Sequence, residues 1–113
     1  LSTGYFEEGN FIYECKSSPD RMGDSINQGS LKKWIGDIKK ILRSRQPEGF
    51  RYIFPVNRLD NENILLLNQL KNDFSRIDIQ YFDCDSVERL VFALEKVNTL
   101  PELVTFIRQE RSK

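Results

Sequence analysis

Apolar positions along the chain fall into two alternating rhythms, period two and period 3.6, and their order predicts the architecture. Gly4 to Glu7 reads as a short strand, Glu8-Gly9 as a two-residue hairpin turn, and Phe11 to Ser17, "FIYECKS", as the returning strand. A polar loop, Ser18 to Gly29, carries one Pro and two Gly. From Ser30 to about Arg45 the apolar residues Leu31, Trp34, Ile35, Ile38, Ile41 and Leu42 form one helical stripe, ended by Gln46-Pro47-Glu48-Gly49.

Arg51 to Asn57, with Pro55 near its end, reads as the next strand. Asp60-Asn61 reads as a cap for a helix over Ile64 to Phe74, and Ile77 to Asp83 as an alternating strand. Asp85 with Glu88 has the spacing of a capping box before the stripe Val87, Leu90, Val91, Leu94 and Val97. Thr99, Pro101 and Glu102 repeat the device before a last helix to about Gln109. Hairpin first and strand-helix alternation afterwards predict an α/β domain: a three-layer α/β/α arrangement around a mixed, about four-stranded sheet that begins with a β-hairpin.

Composition changes this picture little. The 113 residues suit one domain spanning 1–113, and 39% hydrophobic with 12% aromatic residues describes a packed core. Because the chain begins at Leu1 and enters a strand almost at once, it is expected to be a fragment or domain of a longer protein. With no apolar run approaching the ~20 residues that cross a bilayer and no basic-then-apolar leader, the expectation is a soluble, cytoplasmic protein without a membrane partner. Cys15 and Cys84 lie far apart without a CxxC pair, which predicts two buried free thiols.

Charge and candidate chemistry change it more. The 17 basic and 17 acidic residues balance, so any basic surface must arise by local segregation. The sequence provides it: between Gln28 and Arg45 stand Lys32, Lys33, Lys39, Lys40, Arg43 and Arg45 against Asp37 alone. Such a face suits phosphate contacts, and a solvated amphipathic helix is the plainer alternative. Trp34, on the apolar stripe, is expected to be core. The chain has no histidine, which removes imidazole-based triads, HExxH zinc sites and imidazole-dependent nucleases. Carboxylates and lysine must carry any catalysis. Neither GxGxxG nor GxxxxGK[ST] occurs.

The second strand ends in Glu14-Cys15-Lys16, and period-two geometry puts Glu14 and Lys16 on one face with Ile12, opposite Phe11, Tyr13 and Cys15. An ion pair where an edge strand reaches solvent accounts for this at little energetic consequence. A hairpin whose second strand ends in Glu-x-Lys, followed by a polar loop, a basic amphipathic helix and a strand-helix-strand continuation, resembles the PD-(D/E)xK nuclease superfamily, most closely its Mrr-type, restriction endonuclease-like branch. The likeness spans roughly Gly4 to Val97. It implies a nuclease-like, DNA-binding domain with Mg²⁺-dependent phosphodiester hydrolysis, of the kind used in restriction or defence, working with other domains of a larger protein. Carried over, Glu14 would be a metal ligand, the Cys15 backbone carbonyl a possible further ligand, and Lys16 the group that orients or deprotonates the attacking water. Independently, the charge segregated on the helix makes Lys32, Lys33, Lys39, Lys40 and Arg43 the expected DNA contacts.

The sequence departs from the family at its aspartate. A loop at Glu8-Gly9 pairs Thr3 with Glu14, so Thr3 is the expected-aspartate position, or Ser2 if the register slips, and neither is acidic. A dead site, an altered or truncated aspartate, and a replacement acid such as Asp20 or Asp24 stay open as explanations. The alternative function is therefore a catalytically inactive interaction module of the same fold. A small-ligand sensor domain is a third.

Overall fold

The computed structural model describes residues 4–91 and Thr105. Four strands, β1 (Gly4–Glu8), β2 (Phe11–Cys15), β3 (Gly49–Ile53) and β4 (Asp78–Phe82), form one sheet in the order β1-β2-β3-β4. β1 runs antiparallel to β2, and β2, β3 and β4 run parallel. Between them lie α1 (Gln28–Arg45) and α2 (Asn61–Asp73), and α3 (Cys84–Val91) follows β4. The last predicted helix and the end of the one before it lie outside the described residues.

Both crossovers, β2 to β3 and β3 to β4, step the same way along the sheet. Right-handed connections then place their helices on one face. There Ile12, Phe50, Tyr52, Phe54 and Ile79 pack against Leu31, Ile35, Ile38 and Leu42 of α1 and Leu67 and Leu70 of α2. Trp34 joins this core half-buried, as its stripe position predicts. The opposite face gathers Tyr13, Cys15 and Ile53 with Val87 of α3. Helices thus cover both faces, and β3, buried at every position, is the central parallel strand.

Local chemistry sets the element ends. The Asn27 side chain accepts a hydrogen bond from the Ser30 N–H and starts α1, while Gln46, left-handed at φ 46°, closes it with its N–H on the Leu42 carbonyl. α2 begins in a reciprocal capping box between Asp60 and Asn63.

Most strand and helix ends differ from expectation by a few residues, and three of the differences bear on the site or its supports. The hairpin loop is Gly9-Asn10, not Glu8-Gly9: Gly9 takes φ +62° while Asn10 does not, the pattern of a type II′ turn with glycine first. β3 starts at Gly49 and ends at Ile53, because the chain turns at Pro55 and places Asn57 in a loop. Gly49 permits a close approach there: a Cβ would come within 2.3 Å of the Phe11 ring, which would have to shift. α3 is capped by Asp83, whose carboxylate accepts from the Ser86 N–H, so Asp85 sits inside the first turn and the predicted box with Glu88 starts two residues late.

Candidate functional site

β2 delivers Glu14 and Lys16 to the face covered by α1, near the carboxyl end of the parallel strands. β2 is an interior strand, flanked by β1 and β3, so the pair is not on a solvent edge. Glu14 is only 9% exposed, and its Oε1 lies 3.8 Å from the Lys16 Nζ, an ion pair longer than a hydrogen bond. The Lys16 ammonium also stands 6.0 Å from the centre of the Trp34 ring, within cation–π range. Burial pushes the Glu14 carboxyl above the ordinary carboxylate range, Lys16 pulls it back, and Asp37 on α1 raises it again.

Across the sheet, Glu14 has Tyr5 on β1 and Tyr52 on β3 as register partners. The shifted hairpin loop therefore corrects the position opposite Glu14 from Thr3 to Tyr5, and Thr3 itself lies outside the described residues. A shift of two keeps the face and changes the partner. Glu7, one step further along that face, pairs with Arg45 at the end of α1. The Lys16 N–H donates to the Ile53 carbonyl, so strand alternation turns the Cys15 amide and carbonyl towards β1, where Gly4 is the register partner. The Cys15 thiol is fully buried on the other face, and burial lifts it to about 12. Cys84 is half-buried, and neither cysteine is in a disulfide.

The loop after β2 is held by one side chain that sequence reasoning passed over. Asn57, fully buried, accepts from the Ser18 N–H at 2.7 Å and donates to the carbonyls of Ser18, Arg21 and Asp24. Asp20 and Asp24, considered above as replacement acids, are exposed on this loop. Among the described residues no three His, Cys, Asp or Glu side chains gather to hold a metal ion. Of the carboxylates on this strand pair, Glu14 faces Lys16 and Glu7 takes Arg45.

The basic helix divides by partner. Lys39 pairs with Asp73 of α2 at 3.1 Å, Arg43 lies 5.9 Å from the centre of the Phe74 ring, and Arg45 takes Glu7. Lys32, Lys33 and Lys40 are exposed, with no ion-pair partner among the described residues. Helical spacing puts Lys32, Gly36 and Lys39 along the groove to α2, Lys33 and Lys40 at the solvent crest, and Trp34 and Asp37 on the flank over Glu14. The crest lysines are thus one helix flank away from Lys16.

Tyr52 is the second residue the sequence did not single out. It packs in the core with Phe50 and Phe54, and the β2–β3 register puts it beside Glu14. Fold and site together define an α/β domain with a mixed four-stranded sheet, a buried strand glutamate paired with lysine, and a partly unpaired basic helix. Compared with known proteins, the chain matches no family model and no curated protein. Among the described residues no helix is long and apolar enough to cross a membrane.

Proposed function

We propose that this chain is a nuclease-like domain that binds DNA, with α1 as the principal phosphate contact and Glu14 and Lys16 as the surviving pair of a restriction endonuclease-like hydrolytic site. The observation that carries the reading is the exposure of Lys32, Lys33 and Lys40 without acidic partners among the described residues, on the helix that roofs the Glu14–Lys16 pair. Lys39 and Arg43 contribute less, because each is already engaged within the fold. Mg²⁺, where a second acid completes its shell, would supply the polarisation of a phosphodiester, with Glu14 and the Cys15 carbonyl as this chain's ligands. Lys16 would hold a non-bridging oxygen, and the buried setting of Glu14 keeps water from screening their charges. Such a domain belongs in a larger restriction or defence protein.

A catalytically inactive interaction module of the same fold is the second reading, favoured by one observation: Tyr5 stands opposite Glu14 where hydrolysis needs an acid. Titration of a short DNA duplex over a salt series separates the outcomes. The parent should bind at low salt, and replacing Lys32, Lys33 and Lys40 by Gln should reduce the dependence of log K on log salt by about one unit for each phosphate no longer neutralised. Absence of binding by the parent at low salt rejects the reading. Mg²⁺-dependent nicking of plasmid that vanishes in both Glu14→Ala and Lys16→Ala selects the enzyme, and binding without nicking selects the module.

A further inference from the structure

The hydroxyl of Tyr52 is buried without a hydrogen-bond partner, and among the described residues no other buried side-chain polar atom is left so. Tyr52 is 1% exposed and sits between Phe50 and Phe54, with ring centroids 5.1 and 4.7 Å away. Phenylalanine would fill that slot without burying an unsatisfied group, which is costly. The hydroxyl occurs on the one ring of the three whose register partner on β2 is Glu14. The charges of Glu14 and Asp37 both bear on it.

Beside it the Glu14 carboxylate is loosely held. Its contact with Lys16 is 3.8 Å, and the ammonium has the Trp34 ring as a second neighbour. The groups facing Glu14 from the surrounding elements are Lys16 on its own strand, Tyr5 on β1, Tyr52 on β3 and Asp37 on α1. Three of these, Lys16, Tyr5 and Tyr52, carry donors; the Tyr5 hydroxyl belongs to an exposed residue beside Arg45, and the Tyr52 hydroxyl is the buried one left without a partner.

We propose that Glu14 is a two-position carboxylate: it faces Lys16 in the free protein and moves onto the Tyr52 hydroxyl when a phosphate oxygen of a nucleic-acid ligand takes the ammonium. Tyr52 is then a positioning residue and Lys16 the anion contact. The inference rests on the DNA-binding reading above and adds a device to it. In the metal-free complex an anion arriving at Lys16 meets the Glu14 charge, and a buried carboxylate deprived of the Lys16 cation, its ion-pair partner among the described residues, needs a donor. The orphaned phenol supplies that donor. No proton changes hands, and the hydroxyl gains its missing partner in the bound state.

A ligand-free melting cycle isolates the Glu14–Tyr52 contact. Tyr52→Phe should leave the melting temperature of the parent unchanged or raised, and should lower it by several degrees in a Lys16→Met background, where Glu14 depends on the hydroxyl. The same change in both backgrounds overturns the proposal. If the double variant does not fold, a crystal structure of Lys16→Met decides: the Tyr52 oxygen within hydrogen-bond reach of Glu14 supports the proposal, and the Tyr52 oxygen bonded to Asp37, or to nothing, overturns it. With a short DNA duplex, Tyr52→Phe should weaken binding by about tenfold, the scale of one hydrogen bond to a charged group, while the fold stays intact. Unchanged affinity refutes the coupling. If the parent itself binds no DNA, the functional reading fails, together with the ligand half of the proposal, and the melting cycle still decides whether Glu14 pairs with Tyr52.

Discussion

Asn57 ties together more of the chain than any other single polar side chain among the described residues. Its amide closes the loop after β2 onto the loop after β3, and its backbone carbonyl accepts from the Cys84 N–H at the start of α3. Asn57→Ala strands three carbonyls and one N–H that the amide now serves, and the expected loss is about 2–4 kcal/mol in urea denaturation. Asn57→Asp should cost at least as much, because a carboxylate keeps the acceptor for Ser18 but turns a charged oxygen towards carbonyls. A smaller loss for Asp than for Ala would mean that the donor half of the amide is idle. In the sequence, Asn57 reads as the end of a strand, since nothing local distinguishes a residue that bonds 39 positions away. Glu14 and Lys16 are legible because their relation is local: two residues apart in a strand is one face.

At the scale of the element, the hairpin separates what alternation reveals from what a turn decides. Alternation assigns Tyr5, Glu7, Ile12 and Glu14 to one face, and the register agrees. Which residues stand opposite depends on the turn alone, and Gly9 as first rather than second loop residue moves every pairing by two. Gly9→Ala should destabilise by about 1 kcal/mol, a purely backbone cost, because a Cβ there meets nothing within 4 Å. Gly49→Ala should cost more, about 2–3 kcal/mol, since its Cβ drives into the Phe11 ring. Thermal melts of the two variants test the difference, and equal losses would show that the Phe11 ring moves aside freely. The helices are legible from their stripes, and α1 keeps its predicted end at Arg45. Their first residues are less so, because Asp83 and Asp85 are both sound caps and only the turn after β4 selects between them.

Over the whole molecule, stability should follow strand order rather than strand composition. β2 and β3 are buried on both faces and tied at their ends by Lys16 N–H to the Ile53 carbonyl and Phe54 N–H to the Phe82 carbonyl, whereas β1 is a mostly exposed edge. Native-state hydrogen exchange should therefore place the slowest amides in β2 and β3, near the global opening free energy, with β1 opening at lower cost. Protection of β1 equal to that of β3 would contradict this ranking. The same hierarchy bears on the site. Glu14 and Tyr52 stand on these two buried strands, while Lys33 and Lys40 stand on the exposed side of α1, so the backbone under the polar pair should exchange more slowly than that under the lysines.

The sequence by itself determined the α/β class, the order of the described elements, the face on which each strand residue lies and the basic character of α1. All of these follow from periodicity and composition within a dozen residues. Only the tertiary structure decided that β2 is interior, that Tyr5 rather than Thr3 faces Glu14, that Lys39 and Arg43 are engaged within the fold, and that Tyr52 brings an unsatisfied hydroxyl to a buried carboxylate. Each of these is a contact between residues distant in sequence. Such contacts are fixed by strand register and helix packing, to which a local pattern of polar and apolar residues is blind.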